Sequence, residues 1–146
     1  MSDNYRPPKD GDARILGIDD DAGVRHLIGS TLKYAGFKNV TLTDSLRIGF
    51  ELLAEGNVDL LLLDWEMPNV TGIEILMDVR PRMPKLPIIM LTSINDQKKV
   101  MKAIENGCTD YVIKPWKSDE LLEKIRMRLI TRHNLSLPVN NNSGFI

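Results

Sequence analysis

The run Leu60-Leu61-Leu62-Leu63, followed at once by Asp64-Trp65-Glu66-Met67-Pro68, constrains this chain more than any other stretch. Four consecutive leucines fall far short of a membrane span. They suit a strand buried on both faces, the kind found in parallel sheets with helices on either side. Asp64 then stands at the C-terminal end of that strand. In open α/β sheets, ligands bind at the rim outside the carboxyl ends of the strands. An acid at this rim is either a nucleophile for a phosphoryl group or a solvated, helix-capping aspartate, and for Asp64 alone the second is commoner. The other strand ends decide between them.

Upstream, residues 14–18 form a short apolar run that stops at Asp19-Asp20-Asp21, a first strand meeting a polar rim. Gly17 inside it points to a close backbone approach or to a weak spot. From Asp21 the period changes: Val24, Leu27, Ile28, Thr31, Leu32 and Ala35 lie on one helical stripe, which Gly36 ends. Residues 40–43 predict a second strand and residues 45–55 a second helix, burying Leu46, Gly49, Phe50 and Leu53 and closed by Gly56. After the leucine strand, Met67-Pro68-Asn69 is loop chemistry. Thr71 and Glu74 have capping-box spacing, so a third helix starts at Gly72, runs to about Arg80 and is ended by Pro81 and Pro84.

Residues 86–92 predict a fourth strand ending in Thr92-Ser93. A fourth helix over 96–106 turns Val100, Ala103 and Ile104 inward and stops at Gly107. Residues 111–113 predict a fifth strand ending at Lys114-Pro115. Ser118 is expected to cap a fifth helix with Asp119 and Glu120 in its first turn, Leu121, Leu122, Ile125 and Leu129 buried, and Arg126, Arg128 and Arg132 toward its end. Strict strand–helix alternation predicts an α/β domain, a five-stranded parallel sheet with helices on both faces and right-handed crossovers. Pattern alone leaves the strand order open. Residues 1–13 read as a flexible N-terminal leader, 14–132 as the domain, and 133–146 as a tail or the start of a linker.

At 146 residues there is room for one domain with a real core. A formal charge of −1 leaves no electrostatic footprint for nucleic acid or an anionic membrane. The single cysteine, Cys108, excludes an internal disulfide framework, and no Cys/His spacing suggests zinc. Without an apolar signal segment near Met1 or a transmembrane run, we expect a cytoplasmic protein.

Because parallel strands point one way, their C-terminal ends share a rim, which here carries Asp19 and Asp20, then Asp64, Thr92 and Lys114. Three converging carboxylates repel and raise one another's pKa values. A divalent cation resolves this, and hard oxygen ligands with room for water and phosphate suit Mg2+, with Mn2+ or Ca2+ as substitutes. The expected ligands are Asp20 and Asp64 directly, Asp19 directly or through water, and the backbone carbonyl of Glu66. Lys114 is expected to pair with Asp64 when the site is empty and with a phosphoryl oxygen when it is loaded, Thr92 supplying a hydroxyl to another. Singly, an acidic triplet is a solvated loop, a strand-end Thr a local hydrogen bonder and a Lys-Pro pair a turn. Together, at the ends of four strands, they point to phosphoryl transfer with Asp64 as acceptor.

This set, with the motifs Ile-Asp-Asp-Asp, Leu-Leu-Asp-Trp-Glu-Met-Pro-Asn-Val-Thr-Gly, Leu-Thr-Ser and Gly-Cys-Thr-Asp-Tyr-Val-Ile-Lys-Pro-Trp, resembles the receiver domain of two-component response regulators. The resemblance spans about residues 14–132 and implies a flavodoxin-like, doubly wound sheet in order 2-1-3-4-5. It further implies a signalling switch rather than an enzyme. A sensor histidine kinase, a phosphotransfer protein or a small phosphodonor phosphorylates Asp64, Thr92 and Tyr111 act as switch residues, and the face of the fourth helix, fifth strand and fifth helix is remodelled. The partner of that face is an unknown output protein or a C-terminal effector domain. A cis Lys114-Pro115 bond is expected, and Glu66 and Ile94 lie where the family tunes dephosphorylation, bulky Ile94 favouring a long-lived phospho-form. Thr71 and Trp116 depart from common family residues.

Three rival readings are an aspartyl-phosphate phosphohydrolase or phosphotransferase, a plain flavodoxin-like binding module, and a phosphorylation-independent pseudo-receiver. Lys98, Lys99, Lys102, Lys124 and Arg128 read as solvated helix faces or as an output surface for an acidic partner.

Overall fold

The computed structural model describes Lys9, residues 11–93 and residues 96–132. In chain order these form β1 (Arg14–Ile18), α1 (Ala22–Tyr34), β2 (Asn39–Thr43), α2 (Leu46–Ala54), β3 (Leu60–Asp64), α3 (Gly72–Val79), β4 (Ile88–Thr92), α4 (Gln97–Glu105), β5 (Asp110–Ile113) and α5 (Ser118–Thr131). The five strands make one sheet in order β2-β1-β3-β4-β5, every pairing parallel. This is the flavodoxin-like, doubly wound arrangement, with the leucine strand at its centre.

The alternation of side chains along β3 divides the core. Leu61 and Leu63 join Leu53, Ile75, Leu76 and Ala103 on one face of the sheet. Leu60 and Leu62 join Ile28, Leu32, Leu121, Ile125 and Leu129 on the other. All four leucines are wholly buried, each contributing roughly 1.5–3 kcal/mol to the folded state. A run that would be aggregation-prone at an edge is stable here because both faces are covered and both neighbouring strands are paired.

Helix starts follow the polar residues that precede them. Asp21 accepts from the N–H groups of Gly23 and Val24, Ser45 from Ile48, Thr71 from Glu74 and Asp96 from Lys98. Ser118 does not cap: it is the first residue of α5, and Lys117, in extended conformation, holds the cap position without a side-chain bond. Asp119 and Glu120 are left to complement the exposed N–H groups of that first turn. Leu27 also departs from expectation. It is exposed, because the arc of α1 that meets the sheet is narrower than its apolar stripe and is filled by Ile28, Thr31 and Leu32. The fourth strand begins at Ile88 rather than 86, since Pro87 has no N–H to give and only its carbonyl is used, by Leu61.

The end of the expected leader is part of the packed structure. Gly11 and Ala13 are buried, the Lys38 N–H donates to the Gly11 carbonyl, and Lys38 pairs with Asp12. Residues 133–146 lie outside the described residues. Gly17 is there for a close approach, though by a side chain: a Cβ on it would sit 2.6 Å from Leu42 Cδ2. Gly72 matters more, because a Cβ there would lie 2.6 Å from the carbonyl oxygen of Asp64. Only glycine lets α3 begin against the end of β3.

Candidate functional site

The ends of β1, β3, β4 and β5 converge as the parallel arrangement requires. Asp19 follows β1, its N–H donating to the Thr43 carbonyl at 3.0 Å. Asp64 closes β3 opposite Leu91, which places Thr92 one residue further along the neighbouring strand. The Lys114 N–H donates to the Thr92 carbonyl at 2.7 Å, carrying the lysine to the same rim. Asp19, Asp64 and Thr92 are buried and Asp20 is exposed.

Asp19, Asp20 and Asp64 each offer a carboxylate oxygen, and these atoms lie within 4.8 Å of one another. The Lys114 ammonium donates to Asp19 Oδ2 and Asp64 Oδ1, each at 3.0 Å. Asp64 Oδ1 also accepts the Glu66 N–H at 3.2 Å. Both protein donors therefore sit on one oxygen of Asp64, and Oδ2 accepts no hydrogen bond among the described residues. Asp19 is engaged on both sides, Oδ1 accepting the Asp21 N–H at 2.9 Å and Oδ2 the lysine. Arg25, one turn into α1, donates to the Asp19 carbonyl at 2.8 Å and holds the turn that presents the acids.

Burial pushes the Asp64 carboxyl up to about 6, the Asp19 charge adding to the rise and Lys114 opposing it. At Lys114 burial pulls the other way, but the bonds to Asp64 and Asp19 outweigh it and hold the ammonium above its usual range. Three acids against one ammonium leave an unbalanced negative charge in a half-closed pocket. That donor set, hard oxygens with one open edge at Asp20, fits a divalent cation of the magnesium type.

Around this centre the other expected site residues fall into place unevenly. The Lys114-Pro115 bond is cis, as the resemblance implied. Glu66 is exposed, its backbone paired with Thr71 in an isolated antiparallel bridge, and its carboxylate accepts the Ser93 hydroxyl at 2.9 Å. Ile94 lies outside the described residues. Tyr111 is half-buried, with the Lys124 ammonium 5.2 Å from its ring centroid and 2.7 Å from its carbonyl. Lys124 and Arg128 are not free solvated charges, for both turn onto Asp110, at 3.2 and 3.4 Å. Lys98, Lys99 and Lys102 remain on the exposed face of α4. Trp116 is buried in the core shared with α1 and α5.

Sequence reading missed the roles of Arg25, Ser93 and Lys124. Arg25 carried a faint signal, a basic residue one turn beyond an acidic N-cap. Ser93 carried none, because its partner stands 27 residues away on another loop.

The sequence model described as the response regulator receiver domain matches residues 15–126. The chain is 36% identical to the chemotaxis protein CheY of Pseudomonas aeruginosa, over 77% of this chain and 92% of that protein. It is 34% identical to the DNA-binding response regulator MtrA of Mycobacterium tuberculosis, over 80% of this chain but only 50% of that protein. Among solved structures, the chemotaxis response regulator CheY4 of Vibrio cholerae superposes with a TM-score of 0.71 at 28% identity, covering 81% of this chain and 98% of that one.

Proposed function

The chain belongs to the response regulator receiver family, and from that premise we propose that Asp64 is its phosphoacceptor, residues 14–132 acting as the receiver unit of a two-component pathway. The observation that carries this reading is the pairing at Asp64. One carboxylate oxygen is held by Lys114 and the Glu66 N–H, while the other accepts no hydrogen bond from the described residues. That second oxygen is the nucleophile. It attacks phosphorus of a phosphohistidine on a sensor kinase or phosphotransfer protein, or of a small acyl phosphate. The new O–P bond forms as the P–N or P–O bond breaks, and the leaving imidazole takes up a proton or the carboxylate departs as an anion.

The three acids fit a bound Mg2+, which Asp20 and Asp64 would ligate directly; the Glu66 backbone carbonyl, two residues beyond Asp64, would complete the set. Asp19, whose two oxygens already accept from Asp21 and Lys114, is better placed to act through water. The ion supplies neutralisation of charge on the transferring group. Lys114 is positioned to move from Asp64 to a phosphoryl oxygen, and Thr92, buried at the end of β4, to offer its hydroxyl to another. By the resemblance, Glu66 and Ile94 hold sequence positions at which dephosphorylation is tuned. The bulky apolar side chain of Ile94 hinders the attacking water, so the phospho-form decays slowly and there is no steady turnover of a substrate. Thr92 and Tyr111 transmit the added charge of about −1.5 to −2 to the face of α4, β5 and α5. Shifting such a switch from 1:99 to 99:1 requires about 5.5 kcal/mol of differential stabilisation, within reach of a few charge-assisted contacts. An output protein or a further effector domain reads that face.

Intact-mass spectrometry after incubation with acetyl phosphate and Mg2+ tests the proposal. The expected result is a gain of one phosphoryl group, abolished by EDTA and by Asp64→Asn. Uptake unaffected by Asp64→Asn would overturn it, and multiple turnover of a phosphomonoester would favour a phosphohydrolase.

A further inference from the structure

The Ser93 hydroxyl donates to Glu66 Oε1 at 2.9 Å and so joins the loop after β3 to the loop after β4, on either side of the acidic pocket. Both side chains are exposed, so neither needs the other for its hydrogen bonding. Their meeting is set by the backbone beneath. Glu66 is fixed by its N–H bond to Asp64 Oδ1 and by its bridge to Thr71, and the residue before Ser93 is fixed through the Lys114 N–H on the Thr92 carbonyl. The two groups leave from held positions, which lowers the entropy cost of pairing them.

Glu66 is two residues from Asp64, and its carboxylate is the next acid after β3, beside a pocket that already gathers three; Asp21, next to Asp20, is engaged in capping α1. Adding a carboxylate to a hard-cation site raises its affinity, because ligand charge count sets the binding constant. We infer that Ser93 is a positioning residue that keeps the Glu66 carboxylate turned away from the acidic pocket, so that a bound divalent cation meets three acids and not four. The inference rests on the proposed function, since it takes this pocket as the cation site. With the serine in place the carboxylate lies against the loop after β4. Without it the side chain is free to turn inward and add its charge.

Trp65, half-buried and adjacent to Asp64, provides the readout. Its fluorescence is followed during MgCl2 titration at constant ionic strength in the wild type, Ser93→Ala, Ser93→Thr, Glu66→Gln and the Ser93→Ala/Glu66→Gln pair, with calorimetric titration in parallel. Binding by the wild type reports on the proposed function, and the differences among variants report on the inference. Ser93→Ala is expected to bind Mg2+ roughly three- to tenfold more tightly. Ser93→Thr should match the wild type, and the double variant should match Glu66→Gln. Equal or weaker binding by Ser93→Ala overturns the inference, as does the same tightening in the Glu66→Gln background. A wild type silent by both methods removes the cation site, and the inference with it.

Discussion

Arg80 and Gly107 are fitted to one another: the Arg80 Nε–H donates to the Gly107 carbonyl at 2.9 Å, and a Cβ on Gly107 would lie 2.7 Å from Arg80 Cγ. The guanidinium also donates to the carbonyls of Met83 and Pro84, and burial lowers it to about 10. It ties the end of α3 to the turn between α4 and β5. Arg80→Met takes the donor from the buried Gly107 carbonyl and from the part-buried carbonyls of Met83 and Pro84, and should cost about 2–4 kcal/mol. Gly107→Ala meets both a φ of 105° and the arginine stem, and should cost at least about 1 kcal/mol. Urea unfolding followed by circular dichroism measures both. Unchanged midpoints would mean that the arginine is dispensable.

Asp64 carries a penalty that depends on pH. Its carboxyl is raised in the folded chain to about 6 from 3.8, by burial first and then by Asp19. Below the unfolded value both states are protonated and the group is neutral to stability. Between the two values the unfolded state has released its proton while the folded state keeps it, so stability falls as pH rises, reaching its full deficit above about 6. In EDTA, Asp64→Asn should be the more stable protein at pH 7.5 by about 1–2 kcal/mol, part of the gain being offset by the loss of one of the charged partners of Lys114. The difference should close toward pH 4. Thermal unfolding across that range checks it, and a gap independent of pH would refute it.

The opposite sign holds at Asp59. Burial raises its carboxyl, but three hydrogen bonds from the Arg14 backbone and guanidinium outweigh that and hold it below the usual carboxylate range. Stability from this pair is present above the unfolded pKa and is lost as pH falls through the lower folded value. Asp59→Asn should cost about 1 kcal/mol near pH 7, since Arg14 is half-exposed, and almost nothing near pH 2. Acid titration of the two proteins by tryptophan fluorescence compares them.

Lys124 holds Tyr111 by three contacts at once, through the ring, the carbonyl and the neighbouring Asp110. Lys124→Met keeps the stem and removes the charge. It should lower stability by about 1 kcal/mol and shift the Tyr111 ring signals in NMR spectra. Ring signals identical to those of the wild type would show that the ammonium does not restrain the tyrosine.

Most of the architecture was legible because it follows from local rules. The leucine run, the acidic triplet and the glycine stops each mark an element whose partners are set by alternation, and the convergence of Asp19, Asp20, Asp64 and Lys114 follows from parallel strands ending together. The strand order came from the family likeness, not the pattern. What stayed hidden was whatever depends on distant loops or on how wide a buried arc is. Leu27 is as apolar as Ile28 and Leu32, its buried neighbours on the stripe, and only the fit of α1 to the sheet leaves it in solvent. Ser118 looked like a cap because the last extended residue, Lys117, is one place earlier than side-chain preference suggests. The turn of Lys124 and Arg128 toward Asp110 is a tertiary match between α5 and β5 that no spacing announces.

Gly72 leaves α3 no clearance from β3: its N–H donates to the Trp65 carbonyl at 2.8 Å, and its bare Cα faces the Asp64 carbonyl. The pocket is therefore rigid on one flank. A change of charge at Asp64 cannot be absorbed by drawing α3 closer, and falls on the groups that meet its side chain, the Lys114 ammonium and the Glu66 N–H.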